Sequence, residues 1–101
     1  MKSYLEIERL IFNWGVDRGI VDHGRPIAQA IKCAEECVEL LSAIRAGNDA
    51  EVKDALGDIF GTLVMAAGTM NMNLLDCIYG AYDEIKNRKG YLRPDGIFVK
   101  E

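Results

Sequence analysis

Apolar residues recur every three or four positions along most of the chain, which is the spacing of an amphipathic helix. The first such stretch contains Leu5, Leu10, Ile11 and Trp14. Ser3, followed by Glu6 three residues later, has the form of a capping box, which satisfies backbone N–H groups at the start of a helix. The pattern therefore predicts a first helix that begins after Ser3 and ends near Asp17.

A loop punctuated by glycine and proline separates this helix from a second one. Pro26 suits the first turn of a helix, and Gly47 is the residue type that commonly ends one. The predicted buried stripe between them consists of Ile27, Ile31, Ala34, Val38, Leu41 and Ile44. The pattern therefore predicts a second helix from Pro26 to Ala46.

Asn48 with Glu51 resembles another capping box and predicts a third helix that ends near Met70. Beyond Asp58 this helix is apolar on almost every side, so we expect it to be buried, partly by a second copy of the chain. The glycines expected to allow close approach of another helix are Gly61 and Gly68.

Asn73 begins a fourth predicted helix, which ends at Gly90. Its apolar face consists of Leu75, Ile78, Tyr82 and Ile85. The turn signal RPDG at 93–96 then lies between two short apolar runs and predicts a β-hairpin. The predicted fold class is all-α, an oligomeric four-helix bundle over residues 1–90 with a hairpin tail over 91–101, in one domain.

Composition and charge narrow the range of possible functions. Half of the 101 residues are hydrophobic, and chains of this length often gain stability by oligomerising. The net charge of −4 argues against nucleic-acid binding, which usually shows a basic balance. The longest uncharged run, Ile59 to Leu75, is shorter than the roughly 20 apolar residues of a membrane span. We therefore expect a cytoplasmic homo-oligomer with neither a nucleic-acid nor a membrane partner.

The three cysteines, Cys33, Cys37 and Cys77, form no C-x-x-C pair. An odd count favours reduced intracellular thiols. One alternative to free thiols is a zinc site formed by Cys33, Cys37 and His23. Free cysteine is, however, more commonly a small buried hydrophobic residue.

Carboxylates interrupt the apolar pattern of the second and third helices. They are Glu35, Glu36, Glu39, Asp54 and Asp58. A short turn makes the two helices antiparallel neighbours, so the acidic patches can face each other. Converging carboxylates repel one another unless a cation lies among them. The spacing predicts a site for Mg²⁺, which prefers oxygen ligands, with Mn²⁺ as a second option. The alternative is a solvated acidic helix face.

Basic and aromatic residues later in the chain suggest how a phosphorylated ligand could bind. Lys86, Arg88 and Lys89 fall in the predicted last turn of the fourth helix, where the helix dipole favours cations. If that end of the helix approaches the acidic patches, the three basic side chains could bind triphosphate oxygens, and Asn87 could add a hydrogen bond. The alternative is that these side chains form a solvated helix end. The aromatic candidates for stacking on a base, which are otherwise core residues, are Trp14, Tyr79 and Tyr82.

The acidic motif and its flanks resemble the MazG-like all-α nucleotide pyrophosphohydrolases, whose motif is E-E-x-x-E, a spacer and E-x-x-D. The matching acids are Glu35, Glu36, Glu39 and Asp58. Further matches precede and follow this motif. Before it come Gln29 and Lys32, and an opening segment made of Trp14, residues 18–20, Gly24 and Pro26. After it come the segment 84–90 and a tail that resembles G-x-F-V-K. The resemblance covers nearly the whole chain.

The resemblance implies a helical protomer that forms a dimer or a dimer of dimers. It implies Mg²⁺-dependent hydrolysis of nucleoside triphosphates, such as deoxynucleotides or non-standard nucleotides, to monophosphate and pyrophosphate. By position, Glu36, Glu39 and Asp58 would bind the metal, and Glu35 would be an accessory ligand or orient water. The residues expected to contact substrate are Trp14, Gln29, Lys32, Tyr82, Lys86, Asn87, Arg88 and Lys89.

The chain departs from the motif at one position. Ala55 replaces the glutamate three residues before Asp58, and the nearest acid, Asp54, is rotated by about 100° on the helix. Asp54 could still support Asp58 one turn away, which leaves the number of metals open. Two alternatives to the hydrolase therefore stand: a catalytically weak or inactive nucleotide- or metal-binding module, and a structural helical dimer.

Overall fold

The computed structural model describes residues 1–101, which form five α-helices followed by a two-stranded antiparallel sheet. The helices are α1 (Tyr4–Asp17), α2 (Ile20–His23), α3 (Pro26–Ala46), α4 (Asp49–Thr69) and α5 (Leu74–Ile85). The strands are β1 (Gly90–Leu92) and β2 (Phe98–Lys100), with Tyr91 opposite Val99. The predominantly helical class and the hairpin tail are confirmed.

Local capping explains the boundaries that were predicted correctly. The Ser3 hydroxyl accepts a hydrogen bond from the Glu6 N–H at 3.2 Å, and the Glu6 carboxylate accepts one from the Ser3 N–H. The Asn48 side chain accepts a hydrogen bond from the Glu51 N–H at 3.1 Å at the start of α4. Gly47 ends α3 in the left-handed region, with φ 67°, which glycine adopts without steric cost.

The predicted loop before Pro26 contains one further helix. Gly19 adopts φ 76° and reverses the chain after α1, and α2 then forms a single turn that ends at Gly24. The pattern did not indicate α2, since four residues are too few to show helical periodicity.

The core is small and lies along α4, with α3 antiparallel on one side and α1 and α2 on another. Its buried residues are Gly15, Glu36, Ala43, Ala55, Thr62, Val64 and Met65. Gly68 allows the close approach that was expected, because a β-carbon there would lie 3.2 Å from the Phe12 ring. Gly61 does not, since no other atom comes within 4 Å of that position. No helix is long and apolar enough to cross a membrane.

Gly15 is the tightest contact between α1 and α4. A β-carbon there would lie 2.3 Å from the Met65 sulfur and 3.4 Å from Val21 Cγ2. Gly15→Val is therefore expected to lower the free energy of unfolding by about 1–3 kcal/mol, through overpacking. Denaturant titration measures the change. The matched control is Gly80→Val, where no atom lies within 4 Å, and its effect should stay within about 0.5 kcal/mol. Equal effects of the two substitutions would contradict this account of the α1–α4 contact.

The buried face predicted for α3 is wrong. Ile27, Ile31, Val38 and Leu41 are about half exposed, and Val38 reaches 62%. The face that meets α4 instead carries Gln29, Cys33, Glu36, Leu40 and Ala43. The apolar stripe therefore points away from the rest of its own chain.

The fourth helix of the predicted bundle is also different from the expectation. Only the first two residues of α5 are half-buried, and every residue from Asp76 to Lys89 is exposed. The helix ends at Ile85 rather than Gly90, so the basic residues after it lie in the turn and short loop that follow and not in a last helical turn. Lys86 forms an ion pair with Asp83 at 3.2 Å.

The overall dimensions agree with this open arrangement. The radius of gyration is 15.7 Å, whereas a compact chain of this length has about 13 Å. The chain exposes 7848 Å², whereas a compact monomer of this mass exposes about 5,700 Å².

Candidate functional site

A groove with a volume of about 950 Å³ opens between α1, α3 and α4. Its polar lining consists of Gln29, Lys32, Glu36, Asp58 and Thr62, with Trp14 at its edge. We call it the acidic groove. The antiparallel pairing of α3 with α4 brings the two acidic stretches of the sequence together, as their spacing predicted.

Glu36 is the most unusual residue of the groove. It is 5% exposed, although a buried carboxylate is costly unless it is paired. One carboxylate oxygen, Oε1, lies 3.3 Å from the Lys32 ammonium. The other oxygen, Oε2, is buried and has no hydrogen-bond partner. Glu36 therefore offers a desolvated oxygen that is suited to a cation.

Neighbouring acids raise one another's pKa. The nearby Glu36 carboxylate raises the pKa of Glu39, because a protonated Glu39 can donate a hydrogen bond to it; the charge of Glu36 and desolvation act in the same direction. Desolvation, followed by the charges of Asp54 and Glu36, raises the pKa of Asp58. Lys32 opposes both effects, while its own pKa is raised by Glu36. The negative charge of the cluster therefore exceeds what Lys32 compensates.

Ala55, where the chain departs from the motif that it resembles, lies beside this cluster. Ala55 is 4% exposed and packs between α3 and α4. A smaller cavity of about 340 Å³ joins it to Glu39, Ser42, Glu51 and Asp54. Asp54 is thus near both Glu39 and Asp58, and the side chain at position 55 is a methyl group.

The donor set fits a hard divalent cation. Glu36, Glu39 and Asp58 present carboxylate oxygens from two facing helices, and Asp54 is one turn from Asp58. Oxygen ligands of this kind are those that Mg²⁺ prefers, and Mg²⁺ keeps several of its waters, so few protein ligands are needed. No three Asp, Glu, Cys or His side chains already converge at coordination distance, and this includes Cys33, Cys37 and His23.

The other predicted site residues fall into two groups. Trp14, Gln29 and Lys32 line the groove, and the Arg18 guanidinium lies 4.3 Å from the centre of the Trp14 ring. Glu35 is exposed on the flank of α3. The remaining candidates, Tyr79, Tyr82, Lys86, Asn87, Arg88 and Lys89, do not line the groove of their own chain.

Sequence reasoning missed part of the groove lining. Gly57, Gly61 and Thr62 form its α4 wall beside Asp58. Thr62 is buried, and its hydroxyl donates to the Ile59 carbonyl at 2.8 Å. The sequence did contain a signal for this wall of the groove. Gly57 and Gly61 are one turn apart beside Asp58, and two glycines on one helix face leave space there because they have no side chains.

No protein-family model matches the chain, and no solved structure matches it. Over 65 residues it is 35% identical to an uncharacterised 18.2 kDa protein from the rep-hol intergenic region of Haemophilus phage HP1. The alignment covers 61% of this chain and 40% of the phage protein. The chain therefore spans less than half the length of this relative.

Proposed function

We propose that the protein is a Mg²⁺-dependent hydrolase that converts nucleoside triphosphates to monophosphate and pyrophosphate. The observation that carries this proposal is Glu36, whose buried Oε2 has no partner beside Glu39 and Asp58. The resemblance of the acidic motif to the MazG-like pyrophosphohydrolases supports the choice of reaction.

Glu36, Glu39 and Asp58 would hold the metal, with Asp54 as a neighbouring acid. Bound Mg²⁺ neutralises charge on phosphate oxygens and lowers the pKa of water. A carboxylate of the cluster accepts the proton of the attacking water. Glu35, exposed on the flank, orients that water. The water oxygen forms a bond to the α-phosphorus, and the bond from this phosphorus to the oxygen bridging the α- and β-phosphates breaks.

The acidic groove has room for a nucleotide, since ligand pockets commonly measure about 300–1,000 Å³. Gln29 and Lys32 line it near Glu36, where they can donate to phosphate or sugar oxygens. Trp14 offers an aromatic face at the edge of the groove for a base. The substrate class is a nucleoside triphosphate, such as a deoxynucleotide or a non-standard nucleotide.

Self-association is part of the proposal. The exposed stripe on α3 has alternating spacings of four and three residues, which is the pattern of a helix–helix seam. The residues are Ile27, Ile31, Ala34, Val38 and Leu41. Monomeric proteins rarely leave such a stripe in water, so a dimer or dimer of dimers accounts for it.

Ala55 favours one alternative, a nucleotide-binding module that does not catalyse. Its methyl group is packed between α3 and α4, so the cluster lacks the carboxylate that the family motif places there. This alternative predicts Mg²⁺-dependent nucleotide binding with no product.

The test is product analysis with a panel of ribo- and deoxynucleoside triphosphates, with Mg²⁺ and with EDTA. We expect monophosphate and pyrophosphate in equal amounts, and only with Mg²⁺. Diphosphate with phosphate would refute the proposed bond cleavage. Binding without any product would favour the non-catalytic module, and neither binding nor product would reject both proposals.

A further inference from the structure

Lys32 is the only cationic side chain that forms an ion pair with a carboxylate of the acidic groove. Its ammonium lies 3.3 Å from Glu36 Oε1, one turn further along α3. No other lysine, arginine or histidine lines the groove, and the other ion pairs of the chain lie elsewhere, at Lys86 and Arg93. The charge of the buried Glu36 is therefore compensated by Lys32 alone.

The two partners of this ion pair are buried to very different extents. The Glu36 side chain is 6% exposed, whereas the Lys32 side chain is 56% exposed. An ion pair between two exposed side chains one helical turn apart contributes little to stability. Loss of Lys32 would instead leave a charge uncompensated in a desolvated position, which is strongly destabilising. The pair therefore matters because it compensates a buried charge.

The Lys32 ammonium is the partner that is free to move. Lysine carries its charge on a flexible stem and does not bind a carboxylate in the fixed two-bond geometry of arginine. On the α4 wall of the groove, a β-carbon built at Gly57 or Gly61 would meet no other atom within 4 Å. The groove that Lys32 lines therefore contains open space, while Glu36 is held in the interior between α3 and α4.

We propose that Lys32 is a replaceable counter-ion, which compensates the buried Glu36 while the groove holds no divalent cation and gives up Glu36 when such a cation binds. The inference rests on the metal site of the proposed function and not on the hydrolysis. Lys32 is thus a positioning residue, because it keeps the Glu36 carboxylate ready in the metal-free protein and competes with the metal for it. The released ammonium is then available to a phosphate oxygen.

The charges around Lys32 favour this exchange. Glu36 raises the pKa of Lys32 through its hydrogen bond and its charge, and Glu35 and Glu39 act in the same direction. One ammonium thus faces several carboxylates, and it leaves Oε2 of Glu36 without a partner. A divalent cation carries twice the charge and can bind this oxygen directly, so it compensates the cluster better than the ammonium does.

Lys32→Met tests the exchange, because methionine keeps an unbranched stem and removes the charge. Without metal, the variant should lower the Tm by about 5–10 °C, since Glu36 is left uncompensated. It should nevertheless bind Mg²⁺ at least about fivefold more tightly than the wild type, since a competing positive charge is gone. Thermal unfolding in EDTA measures the first effect, and calorimetric titration with MgCl₂ alone measures the second. A lysine that only supported the fold would not strengthen Mg²⁺ binding when removed, and that result would overturn the inference.

Two further variants separate the exchange from a general effect of charge. Lys53→Met removes the same charge from an exposed position of α4 outside the groove, and its Tm and Mg²⁺ affinity should stay close to those of the wild type. Lys32→Arg keeps a positive charge that binds carboxylates more firmly. It should retain the metal-free Tm and bind Mg²⁺ no more tightly than the wild type. Equal gains in Mg²⁺ affinity in Lys32→Met and Lys53→Met would overturn the inference.

A double variant decides the case in which Lys32→Met does not fold without metal. Lys32→Met combined with Glu36→Gln removes both charges of the pair, so its metal-free Tm should be close to that of Glu36→Gln alone. The loss caused by Lys32→Met should thus disappear when Glu36 is already neutral. A loss of equal size in both backgrounds, or a double variant that also fails to fold, would show that Lys32 does not act through Glu36.

Failure of this inference can be told apart from failure of the proposed function. If Lys32→Met binds Mg²⁺ more tightly as described and no nucleotide is hydrolysed, the proposed function fails and the counter-ion role stands. If nucleotides are hydrolysed but Lys32→Met binds Mg²⁺ no more tightly than the wild type, the counter-ion role alone fails. A wild type that binds no Mg²⁺ would reject both.

Discussion

Replacing Glu39 with glutamine is expected to reduce triphosphate hydrolysis by about a thousandfold, because a ligand of the proposed metal is lost. The substitution keeps the size of the side chain, and Glu39 is exposed, so the fold should be retained. Initial rates of pyrophosphate release at saturating Mg²⁺ measure the loss, and circular dichroism checks that the helices remain.

Glu8→Gln is the matched control, since it makes the same chemical change on α1, in a cavity that contains none of Glu36, Glu39 and Asp58. Its rate should remain close to that of the wild type. Hydrolysis by Glu39→Gln at more than a tenth of the wild-type rate would refute the role assigned to Glu39. A loss of helical signal would attribute the effect to folding.

The second large effect concerns stability and its dependence on Mg²⁺ and pH. Mg²⁺ at about a hundredfold above its Kd is expected to raise the Tm by roughly 10–20 °C, because it binds the folded cluster and not the unfolded chain. Thermal unfolding with Mg²⁺ and with EDTA, at one protein concentration and matched ionic strength, measures the shift. In Asp58→Asn the shift should shrink markedly.

The pKa directions set the sign of the pH effect. The pKa values of Glu39 and Asp58 are raised in the folded protein, so between the ordinary and raised values the folded state holds more protons than the unfolded state. The contribution of these groups to metal-free stability therefore falls as pH rises through that window. The difference in Tm between the wild type and Glu39→Gln isolates the contribution of Glu39. Without metal, the Tm of the wild type should fall relative to that of Glu39→Gln as pH rises through this window. Protons compete with Mg²⁺ for the same oxygens, so the Mg²⁺ shift should be larger at pH 7.5 than at pH 5.

The sequence by itself determined the local structure. The Ser3 and Asn48 caps, Pro26 in the first turn and Gly47 at the end of α3 act within a few residues, so their effects are readable without a tertiary fold. The same holds for the turn of the hairpin. Acids on consecutive antiparallel helices also predicted that the two acidic stretches face each other, as Glu36 and Asp58 do across the groove, because a short turn leaves the two helices few other arrangements.

Only the tertiary structure decided which helix faces are covered. The stripe at Ile27, Ile31 and Val38 looked like a core face, yet α4 packs on the opposite face and buries Glu36. Hydrophobic periodicity shows that a face avoids water, but it does not show whether the covering surface belongs to the same chain. The sequence also left open whether the basic residues after α5 approach the acidic patches, and in the structure they do not line the groove of their own chain.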